Sequence, residues 1–151
     1  MLGDYISPGG IMLQETCRDW EACIDRGAAP LLTCGAILPS YPEAIKRSHR
    51  EMGPYMVIAP GIMLAHARPE AGAKAVGLTI LTLREPIAFG SEHNDPVRLV
   101  ITLATPDDKS HVEMLKALSE FLMTEGMAEQ LMAAECMESA EALFGKKKRS
   151  A

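Results

Sequence analysis

Two runs of the chain, Val76 to Leu83 and Val97 to Ala104, are built mainly of Val, Ile, Leu and Thr and are apolar on both alternating faces. A strand can hide both faces only inside a sheet that helices cover on each side, so these runs predict the centre of a layered α/β sheet. Ile11 to Glu15 predicts a further short strand, and Met56–Ala59 and Ile62–Ala65, either side of Pro60-Gly61, predict two more. Thr16-x-x-Asp19 reads as the N-terminal cap of a helix through Trp20, Cys23, Ile24 and Leu31. Ser40-x-x-Glu43, with Pro42 in the first turn, starts a second helix that should stop near Met52, because Gly53-Pro54 cannot continue it. Gly90 to Pro96 has the residues of an exposed loop. Val112, Leu115, Leu118, Leu122, Leu131, Met132 and Leu143 then fall at helical steps.

The predicted order β-α-α-β-β-β-β-α-α-α describes a single three-layer α/β domain, with a mixed sheet of about five strands and helices on both faces. At 151 residues the chain is one domain long and can bury a core without disulfides. That domain is expected to span 1–145, leaving 146–151, with Lys146-Lys147-Lys148-Arg149, as a mobile basic tail. Fifteen basic against twenty acidic residues give a formal charge of −5, the wrong sign for binding a phosphate backbone, so nucleic acid is not an expected partner. The longest apolar stretch, Met56 to Ala65, is too short to cross a bilayer and is broken by Pro60-Gly61. The N-terminus has no basic segment followed by an apolar one, which points to a cytoplasmic protein. Cys17, Cys23, Cys34 and Cys136 show neither CxxC nor zinc-ligand spacing and read as inert thiols in a reducing compartment.

A P-loop, a dinucleotide fingerprint, an HExxH zinc motif and a GxSxG elbow are all missing from the sequence, which leaves the histidines and arginines to carry any chemistry. His66 ends an apolar run, at a strand terminus, where open α/β sheets place ligands. It reads either as a histidine satisfied by backbone and water or as a nucleophile or proton carrier. Ser110-x-x-Glu113 reads as a capping box that puts His111 at the first residue of a helix, an electropositive position suited to an anion or simply to a surface histidine. Arg50 falls in the last turn of the second helix, where the dipole favours a cation whatever else it does. His49 and His93 read as bystanders.

Gly53-Pro54-Tyr55-x-Val57-Ile58-Ala59-Pro60-Gly61 followed by His66-x-Arg68-Pro69-Glu70 resembles the enzyme IIA component of the bacterial phosphoenolpyruvate-dependent sugar phosphotransferase system, of the mannitol/fructose type. With Asn94-Asp95-Pro96 these runs are most similar to the ascorbate-specific branch, and the likeness extends from about Ile11 to Phe144. The resemblance implies a phosphotransferase in which His66 accepts a phosphoryl group from the phosphocarrier HPr and passes it to a cysteine of enzyme IIB, with the membrane enzyme IIC involved indirectly and no metal or cofactor. It implies phosphate-stabilising roles for His111 and for Arg50, which lies 66 − 50 = 16 positions before the nucleophile. Arg68 matches the branch motif as a contact to phosphate or to partner. Ala65 and Ala67 depart from the family's usual proline and glycine, which puts the rigidity of that loop in question. The rival readings are a regulatory protein whose His66 phosphorylation state is sensed by a non-transport partner, and a metal site built from His66, His111 and a carboxylate but lacking a spacing motif.

Overall fold

The structure, a computed structural model, describes residues 1–145, so the basic tail expected at 146–151 lies outside the described residues. The elements are β1 (Ile6–Glu15), α1 (Trp20–Thr33), α2 (Ser40–Met52), β2 (Val57–Ala59), β3 (Ile62–Ala65), β4 (Gly77–Ile87), β5 (Val97–Ala104), α3 (Asp108–Met123), α4 (Met127–Ala133) and α5 (Met137–Leu143), with short 3-10 turns at Leu2–Tyr5 and Pro69–Ala71. This is the α/β domain read from the sequence, one five-stranded mixed sheet in the order β1-β4-β5-β3-β2. β1 runs parallel to β4 and β3 parallel to β5, whereas β4–β5 and β2–β3 are antiparallel.

β4 and β5 occupy the middle of the sheet and divide their side chains between two cores. Leu78, Ile80, Leu99, Ile101 and Leu103 pack with Met114, Leu118, Phe121, Leu131 and Phe144 from α3 and the segments after it. Leu81, Leu83, Val100 and Ala104 pack with Ile24, Ala28, Leu31 and Ile45 of α1 and α2. The alternation that looked uniformly apolar in the sequence therefore serves two helical layers. α1 lies hard against the sheet at Gly27, where an added Cβ would stand 2.5 Å from Thr102 Oγ1, and the Gly27 carbonyl accepts a bond from Thr79 Oγ1 at 2.7 Å. Only glycine leaves room for that approach.

At three helix starts the expected side chain does not do the capping. Asp19, not Thr16, caps α1, accepting from the Ala22 N–H at 2.9 Å. Ser40 begins α2 without a side-chain cap, because its hydroxyl donates to the Ala71 carbonyl at 2.6 Å. Asp107, not Ser110, caps α3, accepting from the Ser110 N–H at 2.8 Å. α2 does end at Met52, followed by Gly53 at φ 87°, a conformation that suits glycine. Among the described residues no helix is long and apolar enough to cross a membrane.

Two ion pairs spaced one helical turn apart join α1 to α2. Lys46 Nζ is 2.9 Å from Asp25 Oδ1, and Arg50 is 2.6 Å from Glu21 Oε2. The i,i+4 spacing on both helices gives the two rungs a common edge. Beside them His49 is buried against Trp20, with ring centroids 4.4 Å apart, and its Nε2 donates to the Phe89 carbonyl at 2.7 Å.

Candidate active site

The parallel pairing of β3 with β5 builds the site. Its register, Ile62 with Leu99 through Ala65 with Thr102, makes both strands leave the sheet at the same edge. β3 delivers His66 there, and β5 continues through Thr105 into α3, which carries His111. The two imidazoles, 111 − 66 = 45 residues apart in sequence, have centroids 6.4 Å apart.

His66 is half-buried and oriented by the backbone of its own strand, with Nδ1 2.9 Å from the Leu64 carbonyl. A carbonyl can only accept, so Nδ1 carries the proton and the lone pair of Nε2 is left for chemistry. Tyr55 meets the ring edge-on at 6.5 Å. The next residue is fixed by Tyr41, which is buried under the site: its hydroxyl accepts the Ala67 N–H at 3.1 Å and donates to the Leu103 carbonyl at 2.8 Å. Burial pushes the Tyr41 phenol up, opposed by its bond to the Ala67 backbone, so it remains a donor. Ala65, in place of proline, is buried at the end of β3, and Ala67, in place of glycine, contributes the N–H that Tyr41 holds.

His111 lies in the opening turn of α3, three residues further in than expected because the helix begins at Asp108. Its Nδ1 is 3.1 Å from the hydroxyl of buried Thr105, which orients the ring. The electropositive end of α3 is already answered by Asp107, whose carboxyl is held below the usual carboxylate range by hydrogen bonds from Ser110. The helix terminus is thus occupied, and His111 reaches the site by its side chain.

His66 and His111 open into a cleft of about 530 Å³ shared with Arg47, Arg68, Asp108, Tyr55 and Met52. Arg50 does not line it. The arginine expected beside the nucleophile is turned towards α1 and engaged by Glu21, while Arg47, one turn earlier on α2, faces the cleft. His93 is exposed in the 90–96 loop and His49 is enclosed by Trp20 and Phe89, so neither joins the site. Asn94-Asp95 is a brace: Asp95 accepts the backbone N–H groups of Phe89, Gly90 and Ser91, and Asn94 Nδ2 donates to the Val57 carbonyl at 3.0 Å. Sequence reasoning missed Arg47, Tyr41 and Asp108. Arg47 had one available signal, since Ala44, Ser48 and Met52, which also line the cleft, share its face of the helix.

Residues 4–146 match the family model "Phosphoenolpyruvate-dependent sugar phosphotransferase system, EIIA 2". The chain is 37% identical over 133 residues to the mannitol-specific cryptic phosphotransferase enzyme IIA component of Escherichia coli K12, a match covering 88% of this chain and 90% of the relative. It is 38% identical to the ascorbate-specific EIIA component of Salmonella typhi, over 104 residues covering 69% of this chain and 68% of the relative. The solution structure of the mannitol-specific cryptic enzyme IIA from Escherichia coli superposes with a TM-score of 0.89 at 34% identity, covering 96% of this chain and 98% of that one. These matches correct the ascorbate expectation. That expectation rested on short runs at 53–70 and 94–96, whereas identity at the same level extends over 133 residues with the mannitol-specific relative and only 104 with the ascorbate-specific one.

Proposed function

The chain belongs to the type-2 enzyme IIA family of the phosphoenolpyruvate-dependent sugar phosphotransferase system, and from that premise we propose that His66 is its phosphoryl acceptor, with Nε2 as the nucleophilic atom. Family membership makes it a phosphotransferase component working through a phosphohistidine. The observation that carries the assignment to His66 is the Nδ1 bond to the Leu64 carbonyl, which places the ring proton of the neutral imidazole on Nδ1 and makes Nε2 the nitrogen with the free lone pair.

The donor is phosphorylated HPr and the acceptor a cysteine of enzyme IIB, which serves a membrane enzyme IIC, all with this chain in the cytoplasm. Exposed Met52, Tyr55 and Val112, beside the cleft and His111, fit docking by proteins rather than enclosure of a small substrate. The 37% identity to a mannitol-specific relative supports a mannitol-type system.

Phosphoryl transfer runs through a loose transition state, so the protein's work is to aim the nucleophile and to stabilise charge on the transferring oxygens. His66 Nε2 forms the new P–N bond while the donor imidazole leaves with the electron pair of the bond that breaks. The Leu64 carbonyl accepts the Nδ1 proton's hydrogen bond and so holds the ring in one orientation while the group is received and passed on. His111, oriented by Thr105, and Arg68 supply hydrogen bonds to phosphate oxygens.

Incubation with phosphoenolpyruvate, enzyme I and HPr should place an acid-labile, alkali-stable phosphate on the wild-type chain and none on His66→Ala. Label on that variant would sink the assignment. Labelled protein should discharge faster to a mannitol-specific enzyme IIB than to other enzymes IIB, and a reversed preference would remove the mannitol reading.

A further inference from the structure

Phosphorylation would add a doubly negative group to a cleft that already holds the Asp108 carboxylate, so the cationic side chains facing that cleft decide how well the phosphohistidine is tolerated. α2 presents two arginines in its second half, and the fold sends them different ways. Lys46 and Arg50 form the edge towards α1, each engaged by a carboxylate of that helix. Arg47, three residues before Arg50 and about a sixth of a turn round the axis, lies on the edge with Ala44, Ser48 and Met52 that walls the cleft. Of the two carboxylates four residues from it along α2, Glu43 is engaged by Lys46 at 2.9 Å and Glu51 forms no ion pair with Arg47. Among the described residues no carboxylate lies within ion-pair distance of Arg47.

We propose that Arg47 is the guanidinium that covers the phosphoryl group on His66 Nε2, and that Arg50, which pairs with Glu21 on the α1 side and does not line the cleft, does not share this role. The inference rests on the phosphocarrier reading above. Arg47 is exposed on α2, carries a planar fork matched to two phosphate oxygens, and breaks no ion pair when it binds them. It transfers no proton. The P–N bond to His66 forms as the P–N bond of the donor breaks, Arg47 neutralises charge on the equatorial oxygens, and it does the same when the group leaves for a thiolate and the electron pair returns to Nε2.

The test uses the full chain with Arg47→Gln, Arg47→Lys and Arg50→Gln, measuring phosphate uptake from labelled phospho-HPr by rapid quench. Arg47→Gln should slow uptake by about a hundredfold, the low end of what one lost charge-stabilising donor costs. Arg47→Lys should recover part of that loss, and Arg50→Gln should stay within about twofold of wild type, its effect confined to a surface pair. The phosphorus NMR shift of the phosphohistidine should move in Arg47→Gln and not in Arg50→Gln, and thermal melts of all three should stay near wild type. Uptake by Arg47→Gln at the wild-type rate, or a larger loss in Arg50→Gln, would overturn the proposal while leaving His66 as acceptor. An unlabelled wild-type chain, or a labelled His66→Ala, would instead remove the phosphocarrier reading and this one with it.

Discussion

At His66 a backbone carbonyl two residues earlier fixes the tautomer, and a tyrosine from another element fixes the residue after it. Tyr41 is the less obvious partner, since it touches neither the ring nor the cleft but ties the Ala67 N–H to the Leu103 carbonyl at the end of β5. Tyr41→Phe strands both groups in a buried setting and should cost about 1–3 kcal/mol in unfolding free energy. Chemical denaturation measures that loss, and phosphorylation should slow in step as the loop after His66 loosens. A variant with wild-type stability and rate would show that Ala67 is held adequately by its neighbours.

Between elements, the α1–α2 ladder and the cap of α3 set which charges reach the cleft. Lys46 is mostly buried, and that burial opposes its charge, yet the hydrogen bonds it donates to Glu43 and Asp25 outweigh it and raise the lysine above its ordinary value. Its contribution to stability is therefore complete below the unfolded lysine pKa and is lost only as pH rises through the higher folded value. The Arg50–Glu21 rung is half-exposed, so a double-mutant cycle should find a coupling of about 0.2–1 kcal/mol that shrinks in high salt. A larger, salt-insensitive coupling would mean the rung is shielded from solvent.

Asp107 follows the opposite sign. Its lowered value makes the cap of α3 effective above the ordinary carboxylate range and lost as pH falls through the folded pKa. The thermal midpoint of Asp107→Asn should lie below that of wild type at neutral pH, and the gap should close in acid. A constant gap across that range would show that the carboxylate's charge has no part in capping.

For the molecule as a whole, one sheet shared by two cores should make unfolding a single event. β4 and β5 contribute to both, so neither helical layer can leave without exposing the sheet beneath the other. Ile24→Ala on one face and Leu131→Ala on the other should each cost about 2–5 kcal/mol, as buried large-to-small changes do. Fluorescence of Trp20, the one tryptophan, reports the α1–α2 face, and far-ultraviolet circular dichroism reports all the helices. The two signals should trace the same transition in both variants. Separated midpoints would mean that the layers unfold independently.

Apolar periodicity determined the element order, the two-faced strands and the end of α2 at Gly53, because burial and backbone freedom act over a few residues and leave a local record. The GPYxVIAPG and HxRPE runs likewise marked His66, and the capping signals placed His111 early in a helix. Spacing could not decide which arginine of α2 meets the cleft: Arg47 and Arg50 differ by about 60° around one helix, and the carboxylates of α1, brought alongside only by folding, engage Arg50. Nor could it place Tyr41 beneath the site, since its partners at 67 and 103 lie on segments distant in sequence. The meeting of His66 with His111 belongs to the same class, because it depends on β3 and β5 being parallel neighbours in one register, and strand pairing is settled by contacts across the whole sheet.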